Sequence, residues 1–337
     1  MIKKLLLITS LSIGLILTGC NQTEEGSQTE ENTQIDKTEQ TDTQKSKSNT
    51  QSNDDMAEFL QPFDGSVNHV HGIGYMNPET GVAFASHTGL KFYKDGKWQE
   101  TKGQYNDYMG FTAVEGGFYT SGHPGKDSDL PNPLGLKKSF DGGQSMENLG
   151  FEGESDFHTM GVGYKNHAIY LMNMEPNSKL EAGFYRSLDD GETWESVAAD
   201  GLSTSPFAIA VHPTDENIIA ASTQNGVYLS ENGGKSFEPL KENTQGTALY
   251  FEEDTLYYAT YSNEPTMEAV SLEDRSTETI SLPDIGQQAI LYIAKNPASD
   301  EEFTILSSNG ETDNAYRTTD KGSNWQQIID KGKPLSK

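Results

Sequence analysis

Three short segments of this 337-residue chain each place two possible metal ligands two positions apart. The pairs are His69 and His71, Asp107 and Met109, and His158 and Met160, and each pair is followed by a glycine. Residues two apart in a β-strand point to the same side. Imidazole nitrogen, thioether sulfur and carboxylate oxygen are all ligands of transition metals. The spacing predicts a shared metal site if the three strands lie side by side.

Two further histidines belong to the same prediction. His87 in AFASHTG and His123 in FYTSGHPG each follow the strand that comes after one of these pairs. Histidine with methionine favours copper, whereas histidine with Asp107 also fits zinc or manganese. An alternative is that the histidines bind water at a polar opening and that Met109 and Met160 fill the core. The chain has no short motif such as H-x-x-x-H, so the prediction depends on convergence in the fold.

The elements that would position these residues are indicated by an internal repeat. Segment 187–194 reads SLDDGETW, and close variants stand at 139–146, 230–237 and 318–325. A shortened copy lies at 93–98 and a degraded copy, SLEDRSTET, at 271–279. The acid or amide positions of the five clearer copies are Asp95, Asp141, Asp189, Asn232 and Asp320. Such an oxygen accepts bonds from the backbone N–H groups after it, and the glycine allows a positive φ, so these residues are predicted to build turns between strands.

The spacing of the repeat predicts the number of structural units. The five positions are 46, 48, 43 and 88 residues apart, and the last gap equals two periods, with the degraded copy in its middle. A period of this length is typical of a four-stranded propeller blade. We therefore expect an all-β fold, a six-bladed β-propeller within residues 57–337. Seven blades are the alternative, if residues 57–68 add a closing strand.

The repeat resembles the Asp-box, also called the bacterial neuraminidase repeat. The domain is similar to exported propellers of the glycosyl-hydrolase-like and sortilin-like type, and to propellers that assist photosystem assembly. The resemblance implies the fold and leaves the activity open, since these relatives differ in what they do. Sialidases of this repeat class grip a carboxylate with three arginines. The only arginines here are Arg186, Arg275 and Arg317, and two of them directly precede repeat turns, so sialidase activity is not expected.

Propeller topology assigns the histidines to one face. Inner strands begin on one face of the ring, second strands end on that face, and the repeat turns lie on the other. This places five histidines on one rim of blades one to three: His69, His71, His87, His123 and His158. Asp107 and Asp156 fall on the same rim, together with Asp127 and Asp129 of a neighbouring loop. His167 and His212 are predicted to lie in surface turns.

The N-terminus resembles that of a bacterial lipoprotein. Lys3 and Lys4 precede an apolar run that ends in Leu17-Thr18-Gly19-Cys20, which is similar to a lipobox. The resemblance implies cleavage after residue 19, lipid attachment to Cys20 and anchoring at the extracytoplasmic face of the cell membrane. Cys20 is the only cysteine, so no internal disulfide is expected. Residues 20–56 are highly polar and are predicted to form a disordered linker.

The charge limits the possible partners. The formal net charge of −27 would repel phosphate backbones, so nucleic acid is not expected as a partner. We expect a lipid-anchored binding protein rather than an enzyme, with a small ligand, plausibly a copper or zinc ion, on the rim of blades one to three. Two alternatives stay open. One is a glycoside hydrolase that uses Asp107 as a catalytic carboxylate, and the other is a scaffold that binds a protein or glycan.

Overall fold

The computed structural model describes Met56 and residues 58–336 of the chain. The predicted signal peptide 1–19, Cys20 and residues 21–55 of the predicted linker lie outside the described residues. Within the described part, no helix has the length and apolar character needed to cross a bilayer.

Blades one to three are consecutive antiparallel sheets. Blade one contains Leu60–Pro62 (β1), Val70–Gly74 (β2), Val82–Ser86 (β3), Gly89–Lys94 (β4) and Lys97–Thr101 (β5), with a 3₁₀ turn at Pro78–Thr80. Blade two contains Asp107–Val114 (β6), Gly117–His123 (β7), Leu136–Ser139 (β8) and Glu147–Gly150 (β9). Blade three contains Met160–Val162 (β10), Ile169–Asn173 (β11), Gly183–Ser187 (β12) and Glu195–Ser196 (β13).

Blades four to six repeat this plan. Blade four contains Ala208–Val211 (β14), Ile219–Thr223 (β15), Gly226–Ser230 (β16) and Glu238–Glu242 (β17). Blade five contains Gln245–Phe251 (β18), Thr255–Tyr261 (β19), Pro265–Ser271 (β20) and Thr277–Thr279 (β21). Blade six contains Ala289–Lys295 (β22), Phe303–Ser308 (β23), Asp313–Thr318 (β24), Gln326–Asp330 (β25) and Lys333–Pro334 (β26).

The sheets form a closed ring of six blades, as the repeat predicted. Each inner strand contacts the inner strand of the next blade, and β22 of blade six returns to β2 of blade one. The second strands β3, β15 and β23 are buried at every residue because other blades cover both of their faces. The alternative of seven blades is wrong. Residues 60–62 do form a strand, but β1 pairs with β5 and becomes the fifth strand of blade one.

The core is divided among the junctions between blades. One buried apolar cluster lies between each pair of neighbouring blades, which makes six clusters in the described part of the chain. The cluster between blades six and one joins Val70 to Leu306 and closes the ring. Two hydrogen bonds support the closure: Val67 N donates to Gly332 O at 2.8 Å, and Trp98 Nε1 donates to Leu335 O at 3.1 Å.

The repeat turns share one hydrogen-bond pattern, and they lie on the face of the ring opposite His69, His71, His87, His123 and His158. In blade three, Ser187 Oγ donates to Asp189 Oδ1 at 2.8 Å, Gly191 N donates to Ser187 Oγ at 2.8 Å, and Thr193 N donates to Asp189 Oδ1 at 2.9 Å. The turns around Asp141, Asn232 and Asp320 repeat all three bonds. These acids and this amide are therefore engaged in holding the turns.

The shortened copy in blade one differs from the other turns. Lys94 and Lys97 are paired directly, so Asp95 and Gly96 form a two-residue hairpin with φ of 50° and 79°. An Asp-Gly hairpin of this kind matches the twist of the flanking strands and needs fewer residues than the repeat turn. Asp95 therefore lies between the third and fourth strands of the blade pattern, as in the other copies, but in a hairpin instead of the repeat turn.

Candidate metal centre

The candidate site lies on the rim where the inner strands begin and the second strands end. His71 belongs to β2, and Asp107 is the first residue of β6. Asp107 is paired in register with His123, the last residue of β7, so both stand on the same face of the ring. The rim of blades one to three therefore carries side chains from separate parts of the sequence.

Glycines let these blades approach closely beneath the site. A Cβ atom on Gly72 would stand 2.7 Å from the Phe111 carbonyl oxygen of blade two. Gly110 has a φ of 54°, and a Cβ there would stand 2.1 Å from the Phe157 carbonyl oxygen of blade three. The glycine that follows each ligand pair therefore permits contact between neighbouring inner strands, which a side chain would prevent.

Three imidazoles of blade one stack on one another. The ring centroid of His87 lies 4.9 Å from that of His69 and 4.7 Å from that of His71, with nearly parallel planes. His69 adopts a φ of 51°, which is uncommon outside glycine, so its backbone conformation must be held by the surrounding structure. The stack brings His71 and His87 to the same side of the rim.

His71, His87 and Asp107 have ligand atoms that converge within 4.8 Å of one another. His71 Nε2 lies 3.7 Å from Asp107 Oδ1, and His87 Nε2 lies 3.8 Å from Asp107 Oδ2. These distances exceed those of hydrogen bonds. His71 Nε2 and Asp107 Oδ1 are both shielded from solvent without a hydrogen-bond partner. Buried polar atoms of this kind are nearly always paired in proteins, so this arrangement calls for an explanation.

The surroundings favour a neutral imidazole at His71. Burial lowers its pKa below the ordinary value of 6.5, the charge of Asp107 opposes this shift, and the neighbouring imidazoles His87, His158 and His69 add to it. A neutral imidazole carries a free lone pair at neutral pH, which is the form that binds metal ions.

A second group lies beside the first and consists of His123, Asp156 and His158. Asp156 Oδ2 stands 2.6 Å from His158 Nε2 and 3.2 Å from His123 Nε2. His123 Nδ1 lies 2.7 Å from Asn132 Oδ1. The hydrogen bond to Asp156 raises the pKa of His158, burial opposes this, and the charges of Asp156 and Asp107 contribute to the increase. The charge of Asp107 therefore raises the pKa of one histidine in each group, His71 and His158.

The remaining predicted residues take other places. Met160 is 7% exposed and packs in the apolar cluster between blades two and three, and Met109 is half-buried on β6 two residues after Asp107. The prediction that His212 is a surface residue is wrong, because His212 is buried and its Nε2 lies 2.6 Å from the Glu253 carbonyl oxygen.

The sequence placed Asp156 on the rim but did not include it among the predicted metal ligands. It stands two residues before His158, which is the same spacing that singled out His69 and His71. Extending the alternation by one step towards the N-terminus would have included it with the other donors.

The same rim carries a polar cavity between blades four and five. It has a volume of about 490 Å³, and Gln224, Asn225, Asn243, Gln245 and Tyr261 are among the residues that line it. The rim therefore has a histidine-rich half and an amide-rich half.

Comparisons with known proteins agree on the propeller. A family model described as Sortilin-Vps10 (sortilin, neurotensin receptor 3) matches residues 136–284, which is less than half of the chain. A search of curated proteins found no match. The family match and the solved structures together support a β-propeller of sortilin-like type.

Three solved structures are similar in fold. A xyloglucanase of glycoside hydrolase family 74 (GH74) from Xanthomonas campestris is 15% identical, with a TM-score of 0.51 over 80% of this chain and 46% of that one. A GH74 enzyme from Niastella koreensis is 15% identical, with a TM-score of 0.53 over 80% and 47%. A chain of a nidogen/laminin complex is 11% identical, with a TM-score of 0.54 over 75% and 95%. This chain spans about half the length of the two GH74 enzymes, and at these identities the likeness concerns the fold alone.

Proposed function

We propose that this chain is a lipid-anchored extracytoplasmic β-propeller that binds a transition metal ion through His71, His87 and Asp107. The observation that carries the proposal is the pair of buried atoms His71 Nε2 and Asp107 Oδ1, which face each other at 3.7 Å without hydrogen-bond partners. Leaving a buried polar group unpaired costs about 1–3 kcal/mol. A cation between the two atoms would satisfy both.

The distances fit a metal ion of zinc size. Zinc binds imidazole nitrogen and carboxylate oxygen at about 2.0–2.2 Å, so two ligands of a tetrahedral ion lie roughly 3.3–3.5 Å apart. The two nitrogen–oxygen distances of 3.7 and 3.8 Å are slightly longer. These two distances go to different oxygens of Asp107, and the three donors together converge within 4.8 Å, so the stacked imidazoles of His71 and His87 must turn towards each other for all three to bind one ion.

The donor set favours zinc or copper(II) over copper(I). Two imidazoles and one carboxylate suit borderline ions, whereas thioether sulfur would favour copper(I). Met160 packs in the core, which removes one of the two predicted thioether donors. Three protein ligands also leave one coordination position for water or for an exogenous ligand.

The lipid anchor is part of the proposal and is supported by the sequence of residues 3–20. Acylation of Cys20 would hold the propeller at the extracytoplasmic face of the cell membrane. The polar segment 21–55 would then separate the propeller from the lipid surface.

The proposal predicts that the full-length chain, purified in detergent, binds zinc and that His71→Ala weakens the binding. Removing a direct ligand should cost more than the roughly 10- to 100-fold that changes behind a ligand typically cost. The measurements are elemental analysis of the native protein and calorimetric titration of the chelator-treated protein with Zn²⁺.

The matched control is Asp127→Asn, which removes an exposed carboxylate from the neighbouring 124–130 loop. It should leave the zinc affinity unchanged. Equal zinc affinity in the wild type and in His71→Ala would rule out this site.

Glycan hydrolysis and protein binding stay predictions. They are supported by the names of the fold neighbours, which are a xyloglucanase, a second GH74 enzyme and a nidogen/laminin complex. The metal site is preferred because a cation would satisfy the unpaired atoms of both His71 and Asp107.

A further inference from the structure

The polar cavity between blades four and five has no part in the proposed metal site. Its walls are the β15–β16 turn with Gln224 and Asn225, the β17–β18 connection at residues 242–244, and the end of β19 at Tyr261. Second strands end and inner strands begin on this rim, so the cavity opens on the same face as the rim histidines but in other blades. Its volume of about 490 Å³ lies within the roughly 300–1,000 Å³ of small-molecule sites.

Hydrogen bonds hold the walls of this cavity in place. Asn225 Nδ2 donates to Ser203 Oγ at 2.8 Å, and Asn243 N donates to Asn225 O at 3.1 Å. Asn243 has a φ of 59°, which asparagine tolerates better than most residues. Tyr261 Oη donates to Gln287 O at 3.2 Å. The chain itself builds the cavity, which limits the ordering that a ligand would have to impose.

Three amide side chains of the cavity are left without partners. Gln224, Asn243 and Gln245 line it, and their side chains make no hydrogen bond to any residue that the structure describes. Each amide offers two donor hydrogens and one acceptor oxygen. The cavity therefore presents donors and acceptors together, which matches ligand groups that are both at once, such as hydroxyls.

The charges around the cavity argue against an anionic ligand. Glu242 is the one charged residue among the described residues that line it, so an anion would find no cationic partner there. The formal net charge of −27 adds to the repulsion. A carboxylate accepts hydrogen bonds from neighbouring hydroxyls. The lining therefore suits a neutral ligand that is rich in hydroxyl groups.

An exposed aromatic ring stands on the same rim of blade four. Phe207 directly precedes β14 and is 52% exposed. Its N–H donates to Ser222 O at 2.7 Å, which places Phe207 beside the strand that leads to Gln224 in the cavity wall. One face of a sugar ring carries C–H groups, and these pack on the negative face of an aromatic ring. An aromatic ring beside free amides is thus complementary to a sugar, which has both apolar and hydroxyl-bearing surfaces.

We propose that the cavity between blades four and five binds a neutral glycan through the side chains of Gln224, Asn243 and Gln245. Phe207 is the stacking platform beside them, and Glu242 accepts hydrogen bonds from sugar hydroxyls. Hydrolysis is not part of the proposal, because glycosidases usually need two carboxylates and this cavity is lined by one. The glycan site does not rest on the metal site, whose ligands belong to blades one and two.

The test is calorimetric titration of the full-length chain with neutral tetrasaccharides at millimolar concentration. The panel contains cellotetraose, mannotetraose, maltotetraose and chitotetraose, with tetragalacturonic acid as the anionic comparator and the chitosan tetramer as the cationic one. The detergent must have no sugar headgroup, and a chelator keeps the metal site out of the measurement. At least one neutral tetrasaccharide should bind, and more tightly than either comparator. No binding of any neutral member, or a comparator that binds as tightly, overturns the proposal.

The tetrasaccharide that binds is then titrated into variants of the cavity. Gln224→Ala/Gln245→Ala removes two exposed amides and should weaken binding by about 10- to 100-fold. Gln99→Ala, on the outer strand β5 of blade one, is the matched control and should leave the affinity unchanged. Unchanged affinity in the double variant overturns the site. Circular dichroism checks that each variant is folded, and Gln245→Ala alone, with a loss of about 3- to 10-fold, replaces the double variant if that does not fold.

Two further variants separate the parts of the inference. Phe207→Ala should weaken binding by about 2- to 10-fold, and an unchanged affinity would overturn its role as a platform. His71→Ala should bind the tetrasaccharide as the wild type does. A loss of glycan binding in folded His71→Ala would place the ligand at the histidine-rich half of the rim and overturn the separate site. Failure of zinc binding alone would leave the glycan site standing.

Discussion

Individual histidines on the rim differ in what they contribute because their neighbours differ. His71 is held neutral by burial, while His158 is stabilised as a cation by its hydrogen bond to Asp156. Two side chains of one type on one surface are thus adapted to opposite charge states. Metal binding by His71, His87 and Asp107 would require the neutral form of His71 and would leave the contact of His158 with Asp156 in place.

The pKa of His158 gives a test in the metal-free protein. It should titrate above 6.5 in the wild type and return towards 6.5 in Asp156→Asn, as measured by NMR titration of the imidazole signals. A midpoint that does not move on this substitution would contradict the assigned contact.

The same shift predicts the sign of a stability effect. Because the folded-state pKa is raised, the stabilisation by the pair is complete below the unfolded-state value and is lost as the pH rises through the raised pKa. Asp156→Asn should therefore lower the free energy of unfolding more at pH 5.5 than at pH 8.5. His123 also faces Asp156, so the comparison is best repeated in a His123→Gln background.

Blades two, three, four and six each contain a turn whose buried hydroxyl connects two strands. Ser187 is 2% exposed, donates to Asp189 and accepts from the Gly191 N–H. The equivalent position in blade six is Thr318, which makes the same contacts through its own hydroxyl. The hydroxyl, rather than the identity of the residue, is what the turn requires.

Ser187→Ala should destabilise the protein because it leaves the Gly191 N–H buried and unpaired. The expected loss is about 1–3 kcal/mol, read as a lower melting temperature. Ser187→Thr is the matched control and should be nearly neutral, as Thr318 shows. An equal loss in both variants would indicate that side-chain size, and not the hydroxyl, matters in this turn.

The ring is closed by packing and by the C-terminal segment, and the strands of residues 58–336 show no exchange between the first and last blades. Every blade is built from a continuous stretch of chain, and β1 and β26 add outer strands to blades one and six. The junction depends on Trp98, which is 3% exposed, packs against Phe84 and Tyr93, and donates to Leu335 O.

Trp98→Ala should therefore weaken closure strongly. Loss of a buried tryptophan typically costs about 3–5 kcal/mol. Trp194→Ala is the comparison, because Trp194 is only partly buried and lies in the turn of blade three, away from the closing junction. The free energy of unfolding from denaturant titration should fall more for Trp98→Ala. A smaller loss than for Trp194→Ala would contradict the dependence of ring closure on Trp98.

The repeat spacing predicted six blades, with seven as the alternative, and strand alternation predicted the rim on which five of the histidines lie. Both follow from local chemistry, since the repeat turns set the period and strand alternation sets the side. The same reasoning expected a strand in residues 57–68 only as part of a seventh blade, whereas β1 pairs with β5, and it did not predict the hairpin at Asp95.

Which ligand atoms lie close together is visible only in the folded structure. His71, His87 and Asp107 come from two blades, and their separation depends on how closely Gly72 lets blade one approach Phe111. The same packing buries Met160 in the core and places Asp156 beside His123 and His158. Distances between blades arise from contacts distant in sequence, and no local pattern in the chain encodes them.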